Sequence, residues 1–161
     1  MFILIFVTVG ASKMGFNRLV EKADYIAGII KENIVMQIGI SKYHPVNAEY
    51  FRFIDRSEII RFYKEARVII CHAGIGTILT ALEFNKPTIV VPRLKEYGEH
   101  HDNHQLEISK KLEEEGRIMA VYDISKLEDV LNNINTRPVK IDNGRIRLIN
   151  TLMDYLKKIE K

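Results

Sequence analysis

An apolar run, Val68-Ile69-Ile70-Cys71, passes directly into His72-Ala73-Gly74-Ile75-Gly76-Thr77, and a helical pattern follows at once. Residues of these types at this spacing suit the holding of a phosphate. Where a strand ends in small residues and a helix begins, bare backbone can approach an anion and the first free N–H groups of the helix point at it. Thr77 would add a hydroxyl donor at the helix start. The glycine pair alone is a weak motif. A dinucleotide fingerprint needs a third glycine where Leu79 stands, and a Walker A loop needs a Gly-Lys-Ser/Thr that this chain lacks. A tight strand-to-helix connection without a ligand is the competing reading.

Other side chains near this turn invite chemistry. Cys71 and His72 are neighbours, but adjacent residues on a strand point to opposite faces, so they cannot form a nucleophile pair. Cys71 reads as a core residue. His72, at the strand's end, could donate to a phosphate or pack structurally. The run Glu99-His100-His101-Asp102-Asn103-His104 looks metal-rich, yet it lacks His-Glu-x-x-His and a second ligand pair nearby. Asp102 is placed to cap the following helix. Asn103, His104 and Gln105 would then crown that helix start with donors and acceptors fit for sugar hydroxyls. A solvated loop with a cap is the alternative.

These residues need a scaffold, and the chain supplies alternating elements. Residues 2–9 form an almost unbroken apolar run, the mark of a strand buried on both faces. Gly10 ends it, and Phe16, Leu19, Val20, Ala23, Ile26, Ala27 and Ile30 recur at helical spacing. Further strands are expected at 34–40, 50–54, 68–71, 88–91 and 118–121. Capping boxes at Asp55/Glu58 and Ser125/Glu128 predict helix starts, Gly116 predicts a helix end, and a helix is expected from about Thr77 to Phe84. The last amphipathic helix is expected over about 144–160. Strands alternating with helices predict an α/β fold: a Rossmann-like, mainly parallel sheet with helices on both faces. Ligands of such sheets sit beyond the C-terminal strand ends, which places Gly10, the 71–77 turn and the 93–103 loop on one rim.

Composition narrows the function classes. The 161 residues fit one domain, and 47% apolar with 28% charged residues describes a globular chain. The net charge is +3 with no block of five like charges, so nucleic acid is not indicated. A mildly basic balance suits anionic small ligands or an anionic membrane surface. A single cysteine excludes an internal disulfide and a Cys-rich metal site, and fits a reducing, cytoplasmic location. The apolar start is far short of the about 20 residues that cross a bilayer and has no basic segment before it, so no membrane anchor is expected.

Taken together, Ile5-Phe6-Val7-Thr8-Val9-Gly10, His72-Ala73-Gly74-Ile75-Gly76-Thr77 and Asp102-Asn103-His104-Gln105-Leu106 resemble, in order, glycosyltransferase family 28 in its C-terminal, donor-binding half. The likeness runs from residue 2 to about residue 120. It is similar in particular to the small catalytic subunits of two-part transferases. One kind adds the second N-acetylglucosamine to a dolichyl-diphosphate-linked sugar; another works in bacterial capsule and exopolysaccharide synthesis. The run Val90-Val91-Pro92-Arg93-Leu94-Lys95-Glu96-Tyr97-Gly98-Glu99-His100 resembles the second kind more.

The resemblance implies a single GT-B half-domain that binds a UDP-sugar, UDP-N-acetylglucosamine first among them, for transfer with inversion to a lipid-diphosphate-linked acceptor. It implies that the turn of His72, Gly74, Ile75, Gly76 and Thr77 holds the diphosphate, that Gly10 belongs to the same donor site, and that Asn103, His104 and Gln105 lie at the sugar. The backbone near Ile54 would read uracil. The family's ribose-gripping glutamate has Thr80 in its place here, with Glu83 three residues on along the same helical face. No metal or other cofactor is expected, because a helix end supplies the positive field. The general base would lie on a membrane-associated, acceptor-binding partner, which would also bring this chain to the cytoplasmic face of the membrane. An open rim and apolar helices also allow a homodimer. Two other readings remain: a non-catalytic nucleotide-sugar-binding or regulatory module, and a different α/β enzyme using His72 or His104 as acid or base.

Overall fold

In the computed structural model, which describes residues 4–136 and 145–159, the apolar run at the start is a strand, Leu4–Thr8 (β1), with every side chain buried. The chain then alternates as the periodicities require: Asn17–Ala27 (α1), Asn33–Gln37 (β2), Glu49–Phe51 (β3), Arg56–Glu65 (α2), Ala66–His72 (β4), Ile75–Glu83 (α3), Thr88–Val91 (β5), His104–Glu114 (α4), Met119–Ala120 (β6), Leu127–Asn133 (α5) and Arg145–Ile159 (α6). The six strands form one sheet in the order β3-β2-β1-β4-β5-β6, and every pairing is parallel. This is the doubly wound, Rossmann-like arrangement.

Alternation along each strand divides the core into two layers. Ile5 and Val7 of β1 and Val68 and Ile70 of β4 pack with Leu19, Val20 and Ile26 of α1 and Leu127 and Leu131 of α5. Phe6, Ile69 and Cys71 face the other way, against Tyr63 of α2, Ile78 and Ala81 of α3, Ile108 and Leu112 of α4, and Leu148 and Leu152 of α6. Neighbouring strands β1 and β4 lead into loops on opposite sides of the sheet order, so their C-terminal ends are the topological switch point, where such folds open a crevice.

Several boundaries differ from those expected. β2 stops at Gln37 rather than Ile40, because Gly39 turns the chain at φ +53°. β3 is Glu49–Phe51 rather than 50–54. Neither capping box forms. Asp55 is the residue before α2, but its side chain makes no cap bond. At Ser125 the carboxylate of Asp123 accepts the Ser125 N–H instead and opens a 3-10 turn, Ile124–Lys126, ahead of α5: a local Asx turn outcompetes the box. The end of α4 is as predicted. Gly116 has φ +70°, its N–H donates to the Glu113 carbonyl at 2.8 Å, and the Arg117 N–H donates to the Leu112 carbonyl at 3.0 Å, the paired bonds of a Schellman cap. Of the last helix expected over 144–160, residues 145–159 are helical, and 144 and 160 lie outside the described residues. No helix among the described residues is long and apolar enough to cross a membrane.

The irregular 43–48 segment needs an internal fastener, and Asp24 supplies it. This fully buried carboxylate accepts from Tyr43 Oη at 2.8 Å and from the N–H groups of Val46, Asn47 and Ala48 at 3.0, 2.8 and 3.0 Å. Burial alone would raise its pKa, but these donors outweigh it and hold the group below its ordinary value. Replacing Asp24 by alanine leaves those donors without an acceptor. Asp24→Ala is expected to cost about 2–4 kcal/mol in urea unfolding, and Asp24→Asn, which keeps one acceptor oxygen, clearly less.

Candidate functional site

The switch point is built around one ring. His72, the last residue of β4, is buried, and its imidazole lies between Gly10, just beyond β1, and Gly74, just before α3. A Cβ at Gly10 would collide with His72 Nε2, and a Cβ at Gly74 with His72 Cε1. Gly10 also has φ +71°, a conformation that favours glycine on its own account. Gly76 is different. A Cβ there would meet nothing within 4 Å, so its bareness faces open space.

Gln105, in the first turn of α4, fixes the chemical state of that ring. Its Oε1 accepts from the N–H of Ala73 and the N–H of Arg93, each at 3.1 Å, which settles the orientation of the amide. Its Nε2 is therefore a donor, and it faces His72 Nδ1 at 3.4 Å. Nδ1 must accept, so the ring proton is on Nε2, 3.1 Å from Thr77 Oγ1. The ring is held neutral as well. Burial, then the nearby Arg93 and His100, push its pKa down to about 3. His72 is thus a neutral hydrogen-bond donor at the rim and a poor base, which argues against it as the acid or base of some other enzyme.

The helix after the turn begins two residues earlier than expected, at Ile75, with Gly74 as the preceding cap residue. Gly76 and Thr77 therefore lie inside the first turn. The Ile78 N–H donates to the Gly74 carbonyl at 3.0 Å, and the N–H groups of Ile75, Gly76 and Thr77 precede the first such bond. Gly76 is exposed, and Ile75 and Thr77 are half-buried. The Thr80 hydroxyl, one turn on, donates back to the Gly76 carbonyl at 2.8 Å. Glu83 is exposed at the last position of α3, about 10 Å along the axis from Gly76. Ile54, half-buried, lies in the loop after β3, the far edge of the sheet from β6; β3 is three strand spacings, about 14 Å, from β4.

The start of α4 joins the same rim but is used differently from what the sequence implies. Gln105 is only 7% exposed, and most of its amide capacity goes to backbone and His72 rather than outward. The Asn103 side chain accepts from the Lys95 N–H at 2.9 Å, and Asp102 caps the helix by accepting the His104 N–H at 2.9 Å. His104 Nδ1 pairs with the hydroxyl of Tyr155 on α6 at 3.2 Å, and that hydroxyl also donates to Glu107 at 3.0 Å. Glu99 is not part of a metal cluster. It is buried and forms a two-pronged pair with Arg18, 2.9 and 2.8 Å. No group of three or more His, Cys, Asp or Glu among the described residues is arranged to hold a metal. Cys71 is fully buried, and burial raises its thiol pKa, as fits a core residue.

Arg93 organises the rim, although its place in the sequence does not mark it out. It is fully buried, and its guanidinium donates to the carbonyls of Val9, Met14, Gly15 and Glu99 at 2.8–3.2 Å, with the Phe16 ring 4.8 Å away. Burial lowers its pKa to about 10, so it stays charged at neutral pH. It thereby gives the 10–15 loop a fixed shape beside His72. The only sequence signal is an arginine directly after an apolar strand and a proline, which surface arginines share.

Comparison with known proteins bears on this geometry. The profile of the glycosyltransferase family 28 C-terminal domain matches residues 4–150. A Candida albicans protein named UDP-N-acetylglucosamine transferase subunit ALG13 is 34% identical over 113 residues, covering 70% of this chain and 37% of that protein. The human protein of the same name is 30% identical over 125 residues, covering 71% of this chain and 10% of that protein. The chain thus spans well under half the length of these two relatives. An NMR structure of ALG13 superposes with a TM-score of 0.62 at 20% identity, covering 91% of this chain and 94% of that one, which supports the fold.

Two outcomes follow from the ring's placement. Gly10→Ala and Gly74→Ala should each destabilise the fold by about 2–4 kcal/mol in urea titrations, whereas Gly76→Ala should be neutral or stabilise by up to about 1 kcal/mol, alanine being the better helix former. Acid should also weaken the fold through His72. The native ring stays neutral down to about pH 3 while a free imidazole titrates near 6.5, so the unfolded chain binds the extra proton. The contribution is complete above about pH 6.5 and is lost toward pH 3, at up to about 1.4 kcal/mol per unit. Urea midpoints should fall with acid across that window, with a shallower slope in His72→Asn.

Proposed function

This chain belongs to the family of glycosyltransferase family 28 C-terminal domains, and we propose that it is the donor-binding catalytic subunit of an inverting glycosyltransferase. Its donor is a UDP-sugar, UDP-N-acetylglucosamine in the first instance, and its acceptor a lipid-diphosphate-linked sugar. The observation that carries this reading is the cradle at the switch point. A neutral His72 is locked between two glycines with its N–H directed toward Thr77, and beside it the first turn of α3 leaves N–H groups and a bare Gly76 facing open space.

A diphosphate fits that cradle for electrostatic reasons. The free N–H groups and the dipole of α3 supply a partial positive charge without a mobile counter-ion, and they are in place before the ligand arrives. As the bond from the sugar to UDP breaks, negative charge builds on the leaving diphosphate, and these donors become more stabilising. The same helix end takes the charge-neutralising role that a divalent cation plays elsewhere. Uracil would lie toward Ile54 at the β3 edge, the ribose over the α3 face carrying Thr80 and Glu83, and the sugar toward Asn103 and His104.

The cradle offers no base for the acceptor hydroxyl. His72 Nδ1 is occupied by Gln105, and the ring, held neutral by burial, is a poor base. The base and the acceptor's wall are therefore assigned to a membrane-associated partner subunit, which would close the cleft, exclude water and hold this chain at the cytoplasmic face of the membrane. The names of the relatives, which call them transferase subunits, support a partner.

Calorimetry on the purified chain tests the binding half of this reading. UDP and UDP-N-acetylglucosamine should bind, and Gly76→Ala should weaken both by about tenfold or more with a melting temperature that is unchanged or raised, since its methyl intrudes only on a ligand. Absence of binding to either compound would falsify the donor-site assignment. Transfer should appear only when the partner is co-expressed. Full-rate transfer by this chain alone contradicts the divided site, and binding without turnover beside the partner favours a non-catalytic module.

A further inference from the structure

Three side chains from three elements stand in line behind the cradle: Gln105 of α4, His72 of β4 and Thr77 of α3. Their hydrogen bonds run in one direction. The Gln105 amide nitrogen donates to His72 Nδ1, and the His72 Nε2–H donates to Thr77 Oγ1. Toward the ring, the Thr77 hydroxyl is therefore an acceptor and keeps its own hydrogen. Among the described residues, the one other side chain that meets this oxygen is Tyr63 of α2, from the buried side. Burial raises the pKa of Tyr63, so it is a phenol, and its O–H has Thr77 as its acceptor. Both lone pairs of the threonine oxygen are then filled, and its hydrogen is left for a group outside. Thr77 is half-buried in the first turn of α3, where the N–H groups of residues 75–77 are also free.

We infer that Gln105 is a positioning residue for the donor diphosphate, acting through His72 and Thr77, an inference that rests on the donor-site reading above. The other tautomer of the ring would reverse the effect. With the proton on Nδ1, Nε2 would be a bare lone pair 3.1 Å from Thr77 Oγ1. That lone pair would draw the hydroxyl hydrogen inward and turn the threonine's own lone pairs toward the phosphates. The place of one proton on a buried ring thus decides whether Thr77 attracts an anion or repels it. Which ring nitrogen carries the proton is set by the bond that the other one makes, and here that bond comes from Gln105. The amide cannot turn over to release it. Its oxygen is claimed by the N–H groups of Ala73 and Arg93, each at 3.1 Å, and a flipped amide would set its NH2 group against both. Ala73 directly follows β4 and Arg93 lies just beyond β5, so the sheet itself orients the amide.

Calorimetry and nitrogen-15 NMR at about pH 8 test this on the purified full chain, with UDP and UDP-N-acetylglucosamine as ligands. Gln105→Glu keeps an oxygen for the two backbone N–H groups and replaces the donor to His72 by an acceptor. Its ring is expected to carry the proton on Nδ1, and both ligands should bind about ten- to a hundredfold more weakly. Thr77→Val, which keeps the shape of the side chain, should cost about tenfold. Beside Thr77→Val, Gln105→Glu should cost less than about threefold more, because the relay is already cut. Gln105→Met serves where the buried carboxylate unfolds the chain, with mixed tautomers and a smaller loss that again vanishes beside Thr77→Val. Melting temperatures check that each variant is folded. A proton that stays wholly on Nε2 in the Gln105 variants overturns the inference. So does a Gln105→Glu loss that persists in full beside Thr77→Val, which is plain charge repulsion. A loss confined to UDP-N-acetylglucosamine makes Gln105 a contact of the sugar and overturns it too. In each of these cases the donor site stands, whereas a wild-type chain that binds neither compound sinks the donor site first.

Discussion

The imidazole of His72 occupies the volume that any side chain at position 10 or 74 would need, and so it couples two backbone segments that are distant in the chain. Space between β1 and β4 is scarce because the strands are paired neighbours at the switch point. The ring fills it and stands between the two loops. Gln105 then decides which nitrogen carries the proton, because an amide oxygen that accepts two backbone N–H groups leaves only its nitrogen for the ring. Glycine at 10 and 74 is in this sense a structural demand, while glycine at 76 is free of any such demand.

Around that contact the rim is polar but well satisfied. Gln105 and Arg93 each tie several carbonyl or N–H groups of loops that have no regular partners, and the Arg18–Glu99 pair closes the next layer outward. Buried polar networks of this kind are costly when partly satisfied and stiffening when complete. Only the Nε atom of Arg93 is left without a partner among buried side-chain groups of the described residues. A stiff rim matters for the proposed chemistry, since donors that need not reorganise stabilise developing charge most effectively. The C-terminal helix enters the same network through Tyr155, whose hydroxyl meets His104 and Glu107, so the packing of α6 reaches the start of α4.

Much of this was legible from residue types. Unbroken apolar runs gave buried parallel strands, helical spacing gave α1, Gly116 gave the end of α4, and the glycine-rich turn after β4 marked the crevice. What the sequence could not reveal was where polar side chains turn. Gln105 turns its amide oxygen to two buried backbone N–H groups, and a glutamine in the first turn of a helix reads alike whether it faces solvent or buried backbone. Ser125 matched a capping box, but Asp123 two residues earlier offered a competing local acceptor. Arg93 and Asp24 carry no motif signal because each bonds mainly to backbone groups that only the tertiary fold brings near. Motif spacing reports local geometry; it carries no information on carbonyls contributed from elsewhere in the chain.

If the account is right, a nucleoside diphosphate settles on an amino-terminal turn that is already formed, next to a ring that is already neutral. Nitrogen-15 NMR observes both at once. Without ligand, the His72 ring should show the Nε2–H tautomer and no titration between about pH 5 and 7, and added UDP should shift the amides of Ile75, Gly76 and Thr77 most. A His72 ring that titrates near its ordinary value, or UDP-induced shifts that leave those three amides unmoved, would contradict it.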